Sequence, residues 1–142
     1  MQIQKTASAQ WKGDLKGGGG VVSTESGALH RAPYGFQTRF EDTPGTNPEE
    51  LIAAAHAACF AMALTAELGK QGIVPDSITT IGKVTLEKQG ESLVITRSDI
   101  ELMIEVGDAS RASVRQAIET TRHNCPVSKL LNAARDVKVE GL

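Results

Sequence analysis

Residues 47–64, NPEELIAAAHAACFAMAL, constrain the fold more than any other part of the chain. Past Asn47 and Pro48, the only polar groups in the stretch are two carboxylates at its head, one histidine and one cysteine. The head carries the signals of a helix start. Asn47 can cap it, Pro48 suits the first helical position, and Glu50 stands where a capping box wants a carboxylate, with Thr46 and Glu49 as the alternative register. Gly69 and Gly72 predict an end near Leu68. Between 51 and 64 the helix is apolar nearly all round, which requires burial on most sides. A chain of 142 residues can hardly supply that much cover. The alanines also let another helix approach closely, so the pattern predicts a dimer with this helix near its interface.

The same run, 14 residues long, is too short to span a bilayer. The first 14 residues, MQIQKTASAQWKGD, lack the apolar stretch of a signal peptide. A net charge of -2 without a basic cluster argues against nucleic acid and anionic membranes as partners. A soluble cytoplasmic protein is the expectation, folded as a single domain over 1–142. In that compartment a stable structural disulfide is not expected, so a bond between Cys59 and Cys125 would be transient and chemical.

On either side of the helix the pattern changes. Residues 3–11 and 20–24 carry β-branched and aromatic side chains, and 36–40 alternates apolar with polar, so all three read as strands. The DLKGGGG segment at 14–20 lacks the Lys-Ser/Thr pair of a phosphate loop and opens no helix, so it reads as a flexible hairpin connection. Period-two stretches predict strands at 77–88 and 92–106 around a Gln89-Gly90 turn. Asp108 can cap a helix running to about His123, with Val114, Ala117, Ile118 and Thr121 facing inward. Cys125-Pro126 breaks that helix, 127–134 forms a short one, and 137–140 closes as a strand. The resulting order, β-β-β-α-β-β-α-α-β, is α+β.

The chemistry candidates follow from this layout. Glu49 precedes Cys59 by ten residues, about 280° around the helix and so on an adjacent face, whereas Glu50 is about 180° away. His56 shares the cysteine's side. Both carboxylates complement the positive helix end; for Glu49 a functional role is also expected. A cysteine in an apolar helix is commonly a small buried hydrophobe with a raised pKa. Cys59 can react only if a cation reaches it from elsewhere in the fold, because no Lys or Arg lies within a turn of it. Cys125 sits at or near the cap of the last helix, where the helix dipole acidifies a thiol; a capping cysteine without chemistry is the other reading. His56, Cys59, His123 and Cys125 together also make four tetrahedral zinc ligands, at a spacing that fits no familiar finger.

Several strings, taken together, resemble one family. They are Trp11-x-Gly13-Asp14, the STESG run from Ser23, PYGFxTRF from Pro33, GTNPEEL from Gly45 with AACF ending at Phe60, and Cys125-Pro126-Val127-Ser128. Nearly the whole chain is similar to the osmotically inducible protein C (OsmC) family, with the organic hydroperoxide resistance proteins as close kin. The resemblance implies an intertwined α+β homodimer, with antiparallel sheets around a long central buried helix and two active sites at the subunit interface. It implies a thiol peroxidase reducing organic hydroperoxides without haem, flavin or metal. Carried over, the peroxidatic cysteine falls on Cys59, the resolving cysteine on Cys125, the family's arginine on Arg39 and its glutamate on Glu49.

In that scheme Arg39 is the missing cation. It stabilises the Cys59 thiolate and the developing charge on the peroxide, while Glu49 holds the guanidinium. A sulfenic acid on Cys59 then condenses with Cys125, and an external dithiol, which the family suggests is of lipoyl type, reopens the disulfide. Phe60, Met62 and the alanines are expected to shape an apolar pocket at Cys59 that prefers bulky organic hydroperoxides. Two other functions compete: the zinc-binding structural protein, and a non-catalytic module holding hydrophobic ligands.

Overall fold

The computed structural model describes residues 1–131 and 133–142, with only the backbone of Ala134 and Arg135. The chain divides into two compact units, Met1–Leu51 and Ile52–Leu142.

The first unit holds a three-stranded antiparallel sheet, β1 (Ala7–Lys12), β2 (Gly19–Thr24) and β3 (Ala32–Tyr34), in that order. The glycine-rich connection between β1 and β2 is a hydrogen-bonded turn rather than a flexible one. Asp14 accepts from the Gly17 N–H through Oδ1 at 2.5 Å and from the Gly18 N–H through its carbonyl at 3.0 Å. Only glycine fits at 18, because a Cβ there would meet the carbonyls of Lys12 and Asp14.

Residues 36–40, expected as a strand, form the short helix α1 (Phe36–Phe40). Alternation over five residues is too brief to fix a period, and two contacts favour the helix. Phe36 and Phe40, four residues apart, bring their rings to 4.9 Å. The Thr38 hydroxyl accepts from the Gly35 N–H at 2.8 Å and donates to the Gly35 carbonyl at 3.0 Å, fixing the first turn. Asn47 then joins α1 to the next helix. Its Oδ1 accepts from the Glu50 N–H at 2.8 Å, the predicted cap, and its Nδ2 donates to the Thr38 carbonyl at 3.2 Å.

Helix α2 runs Pro48–Lys70, 23 residues. Its mean hydropathy over an 18-residue window is 1.7, so by length and composition it is long enough to cross a membrane, contrary to the 14-residue expectation. In the folded chain it buries one stripe: His56, Phe60, Leu64 and Leu68, a strict i, i+4 row. The expected burial on most sides is not met within one chain; Ala54, Ala55, Ala58, Met62 and Ala66 are exposed.

The buried stripe packs into the core of the second unit, with Ile100 and Leu102 from β5 (Ser92–Glu105), Val114, Ala117 and Ile118 from α3 (Arg111–Asn124), and Cys125. The inner face of α3 is the predicted one, Thr121 included. Its cap is Ser110, whose Oγ accepts from the Ser113 N–H, and not Asp108, since the Ala109 N–H first closes a turn on the Val106 carbonyl. β4 (Ser77–Gln89) and β5 form the predicted antiparallel hairpin. The third strand, β6 (Ala134–Glu140), pairs parallel to β5, against the expectation of purely antiparallel sheets. The reason is the path: α3 and α4 (Pro126–Leu130) form a crossover that returns the chain in its original direction. α4 is shorter than the expected 127–134, of which Asn132 lies outside the described residues.

β4 crosses α2 closely. The Thr80 hydroxyl donates to the Ala57 carbonyl at 2.9 Å, and a Cβ on Gly82 would stand 2.5 Å from the Ala53 carbonyl oxygen. Backbone on both sides leaves little room to yield. Gly82→Ala is therefore expected to destabilise the protein by about 1–3 kcal/mol in urea unfolding; an unchanged midpoint would show that strand and helix separate freely.

Candidate active site

In the second unit the two cysteines meet. Cys59 is half-buried on α2, and Cys125, fully buried, is both the last residue capping α3 and the first capping α4. Pro126 forces this arrangement, because it cannot continue α3 and suits the first position of α4. Sixty-six positions apart in sequence, both are free thiols in contact with each other.

Burial pushes the Cys59 thiol up. Against this, the Val127 backbone N–H at the start of α4 favours the thiolate, while the Cys125 sulfur, by hydrogen bonding the neutral thiol, adds to the rise. The Cys125 side chain itself makes no capping bond. On balance these groups leave the Cys59 pKa raised.

In the first unit Arg39, on α1, grips Glu49, in the first turn of α2. Its Nη2 donates to Glu49 Oε1 at 2.6 Å and its Nε to Oε2 at 3.1 Å, the fork geometry in which a guanidinium orients a carboxylate. Glu49 is mostly covered, at 12% side-chain exposure, and Arg39 less so, at 32%. The guanidinium therefore keeps an open side, and it lies 5.4 Å from the Phe40 ring centre. Glu50, by contrast, is exposed, as its place opposite Cys59 on the helix implies.

The remaining candidates separate. His56 is 1% exposed, with Nδ1 2.6 Å from the Ser98 Oγ and Nε2 2.8 Å from the Ser128 Oγ. His123 is exposed and pairs with Glu119 at 3.1 Å. Among the described residues no group of three or more His, Cys, Asp or Glu is placed to hold a metal, so the zinc alternative is not favoured. Phe60 is enclosed in the core and Met62 is 76% exposed, so neither lines a pocket at Cys59 within one chain as expected. The serines were not singled out from sequence. Ser98 had a visible signal, as the polar member of an inward-facing row with Ile100 and Leu102.

Comparison with known proteins agrees with this geometry. A family model described as OsmC-like protein matches residues 40–140, a span that includes Glu49 and both cysteines and begins one residue after Arg39. Peroxiredoxin OsmC of Escherichia coli (strain K12) is 47% identical over 133 residues, 94% of this chain and 93% of that protein. Organic hydroperoxide resistance protein OhrB of Bacillus subtilis (strain 168) is 32% identical over 124 residues, 87% of this chain and 90% of that protein. The crystal structure of OhrB of Bacillus subtilis superposes with a TM-score of 0.70 at 27% identity, covering 95% of this chain and 96% of that one. The paired thiols, the forked Arg39–Glu49 pair and these matches agree: the chain belongs to the OsmC-like family.

Proposed function

We propose that this protein is a cysteine-based peroxidase that reduces organic hydroperoxides to alcohols, with Cys59 as the attacking thiol and Cys125 as the resolving one. The observation that carries the reading is the contact between the two free thiols, one half-buried and one sealed in the core. The names of the relatives, a peroxiredoxin and an organic hydroperoxide resistance protein, agree with it. The Cys59 thiolate attacks the distal peroxide oxygen. The O–O bond breaks, an alcohol leaves, and Cys59 becomes a sulfenic acid. Cys125 attacks that sulfur, water departs, and a Cys59–Cys125 disulfide remains. A dithiol of lipoyl type reopens it by exchange.

The cation in this reading is Arg39, which Glu49 aims through their forked pair. The working form is a homodimer. Its support is the stripe of Ala54, Ala58, Met62 and Ala66 that one chain leaves exposed on α2, where small side chains let a second copy approach closely. Two thiols meant to cycle belong in a reducing compartment, the cytoplasm. Met62→Glu, placing a charge in the stripe, is expected to yield monomers in sedimentation equilibrium; an unchanged mass would place the interface elsewhere.

The function itself is tested by counting thiols in reduced protein after one equivalent of cumene hydroperoxide. Both should disappear within seconds, and faster than with hydrogen peroxide, which has no hydrocarbon to bury. Equal rates for the two peroxides would refute the apolar site, and survival of both thiols in excess peroxide would refute the peroxidase.

A further inference from the structure

His56 lies one turn before Cys59 on α2 and joins two elements that the sequence keeps far apart. Its Nδ1 meets Ser98 on β5, and its Nε2 meets Ser128 on α4. Each ring nitrogen thus has a hydroxyl partner, and which of them donates depends on the tautomer. With the ring and both hydroxyls inside the core, each bond replaces hydration that burial has removed.

The Ser128 bond has a consequence for α4. That helix has only five residues, of which Ser128 is the buried one, whereas Leu130 is 79% exposed. Beside it lies a cavity of about 170 Å³, lined by His56 and Ser128 together with Arg122, His123 and Asp136. The helix is therefore not held by packing on that side. Yet α4 positions two groups at Cys59: the Cys125 sulfur at its cap and the Val127 N–H in its first turn. Oxidation of Cys59 alters its own contacts with both. The His56–Ser128 bond contains no sulfur, so that oxidation does not alter its donor or acceptor.

We infer that His56 is a positioning residue for the resolving step, holding α4 through Ser128 so that Cys125 stays in line with the oxidised Cys59. The inference rests on the peroxidase reading above. In the step concerned, the Cys125 thiolate attacks the sulfenic sulfur. The S–S bond forms, the S–O bond breaks, and the departing hydroxide leaves as water with the proton that Cys125 gave up. The hydroperoxide is the oxidant, and the two thiols supply its two electrons.

Two conservative variants separate the links. In His56→Gln the amide nitrogen reaches the Nε2 position and keeps the bond to Ser128; in His56→Asn it reaches the Nδ1 position and keeps only the bond to Ser98. After rapid mixing with cumene hydroperoxide, sulfenic acid is trapped with dimedone and the disulfide is followed by quenched mass spectrometry. Oxidation of Cys59 should slow much less than disulfide formation in His56→Asn, since α4 gives the Cys59 thiolate only one donor, the Val127 N–H, but carries the whole resolving thiol. Disulfide formation should slow about 10- to 100-fold in His56→Asn, the effect of a misplacement of about 1 Å, and recover in His56→Gln. With excess peroxide, His56→Asn should accumulate Cys59 sulfinic acid. Ser128→Ala should reproduce the defect and add nothing to it in the double variant, whereas Ser98→Ala should not reproduce it. Equal slowing in the Gln and Asn variants, or equal slowing of both steps, would mean a merely structural histidine and overturn the inference. Failure of wild-type Cys59 to oxidise would instead overturn the peroxidase reading and the inference with it.

Discussion

Cys59→Ser is expected to lower hydroperoxide consumption by about a thousandfold or more, because the covalent route loses its nucleophile and a serine hydroxyl at neutral pH does not replace a thiolate. Cys125→Ser should behave differently. Its first turnover proceeds at the wild-type rate or faster, since the Cys125 sulfur is one of the groups that raise the Cys59 pKa. The reaction then stops at a sulfenic acid that dimedone captures and that further peroxide drives to the sulfinic acid. Rapid-quench measurement of alcohol formed, a burst of one equivalent per subunit followed only by the slow second equivalent that overoxidation releases, distinguishes this from a dead enzyme. The two variants thus fail at different steps, as an attacking and a resolving thiol should. Were Cys125→Ser inert from the first turnover and Cys59→Ser competent, the roles would be reversed. Were both variants fully active in hydroperoxide consumption, the cysteine-based reading would fall.

The contrast between these thiols shows how much of the site the sequence disclosed. The helix from Asn47 was legible because its start signals, its apolar composition and its glycine stops agree, and the Asn47 cap is present as read. The α3 face and the β4–β5 hairpin were legible for the same reason, each showing its period over more than ten residues. The segment 36–40 was not. Five residues carry too little periodicity, and the contacts that decide it, Thr38 on Gly35 and Asn47 on Thr38, involve a turn and a cap. The parallel β6 was hidden because strand direction depends on the crossover path, which local pattern does not encode.

Within the site, sequence spacing put His56 beside Cys59 and Glu49 at the helix head, both from helical geometry alone. It could not bring together Cys59 and Cys125, whose contact depends on Pro126 folding α4 back under α2, and resemblance alone supplied that pairing. The expected place of Cys125, at the cap of the last helix, is the one it occupies. A capping residue's own side chain need not lie on the helix axis, and here Val127 serves the thiol across from it.

Arg39→Ala is expected to slow Cys59 oxidation about 100- to 1,000-fold near pH 7, the magnitude of losing a preorganised donor to developing charge. The pH dependence carries the stronger test. Burial raises the Cys59 pKa, and only the thiolate attacks, so the rate rises with pH until the thiol is ionised. On the proposed reading, Arg39 should oppose the rise and move that midpoint down. Without it the midpoint moves up, so the deficit of Arg39→Ala is greatest near neutrality and shrinks at alkaline pH, where hydroxide does the ionising. Arg39→Lys should fall between the two, since it keeps the charge but loses the fork that meets both Glu49 oxygens.

Glu49→Gln separates aim from charge. Removing a carboxylate favours the thiolate, so this midpoint should move down or stay. The maximal rate should nevertheless fall about tenfold, because the guanidinium is no longer held where the peroxide charge develops. Rapid-mixing rates for Cys59 thiol loss between about pH 6 and 10 give all four profiles. An Arg39→Ala profile parallel to that of wild type would mean that Arg39 does not act on the thiolate. The raised Cys59 pKa would then have to be met by another cation or by the substrate itself.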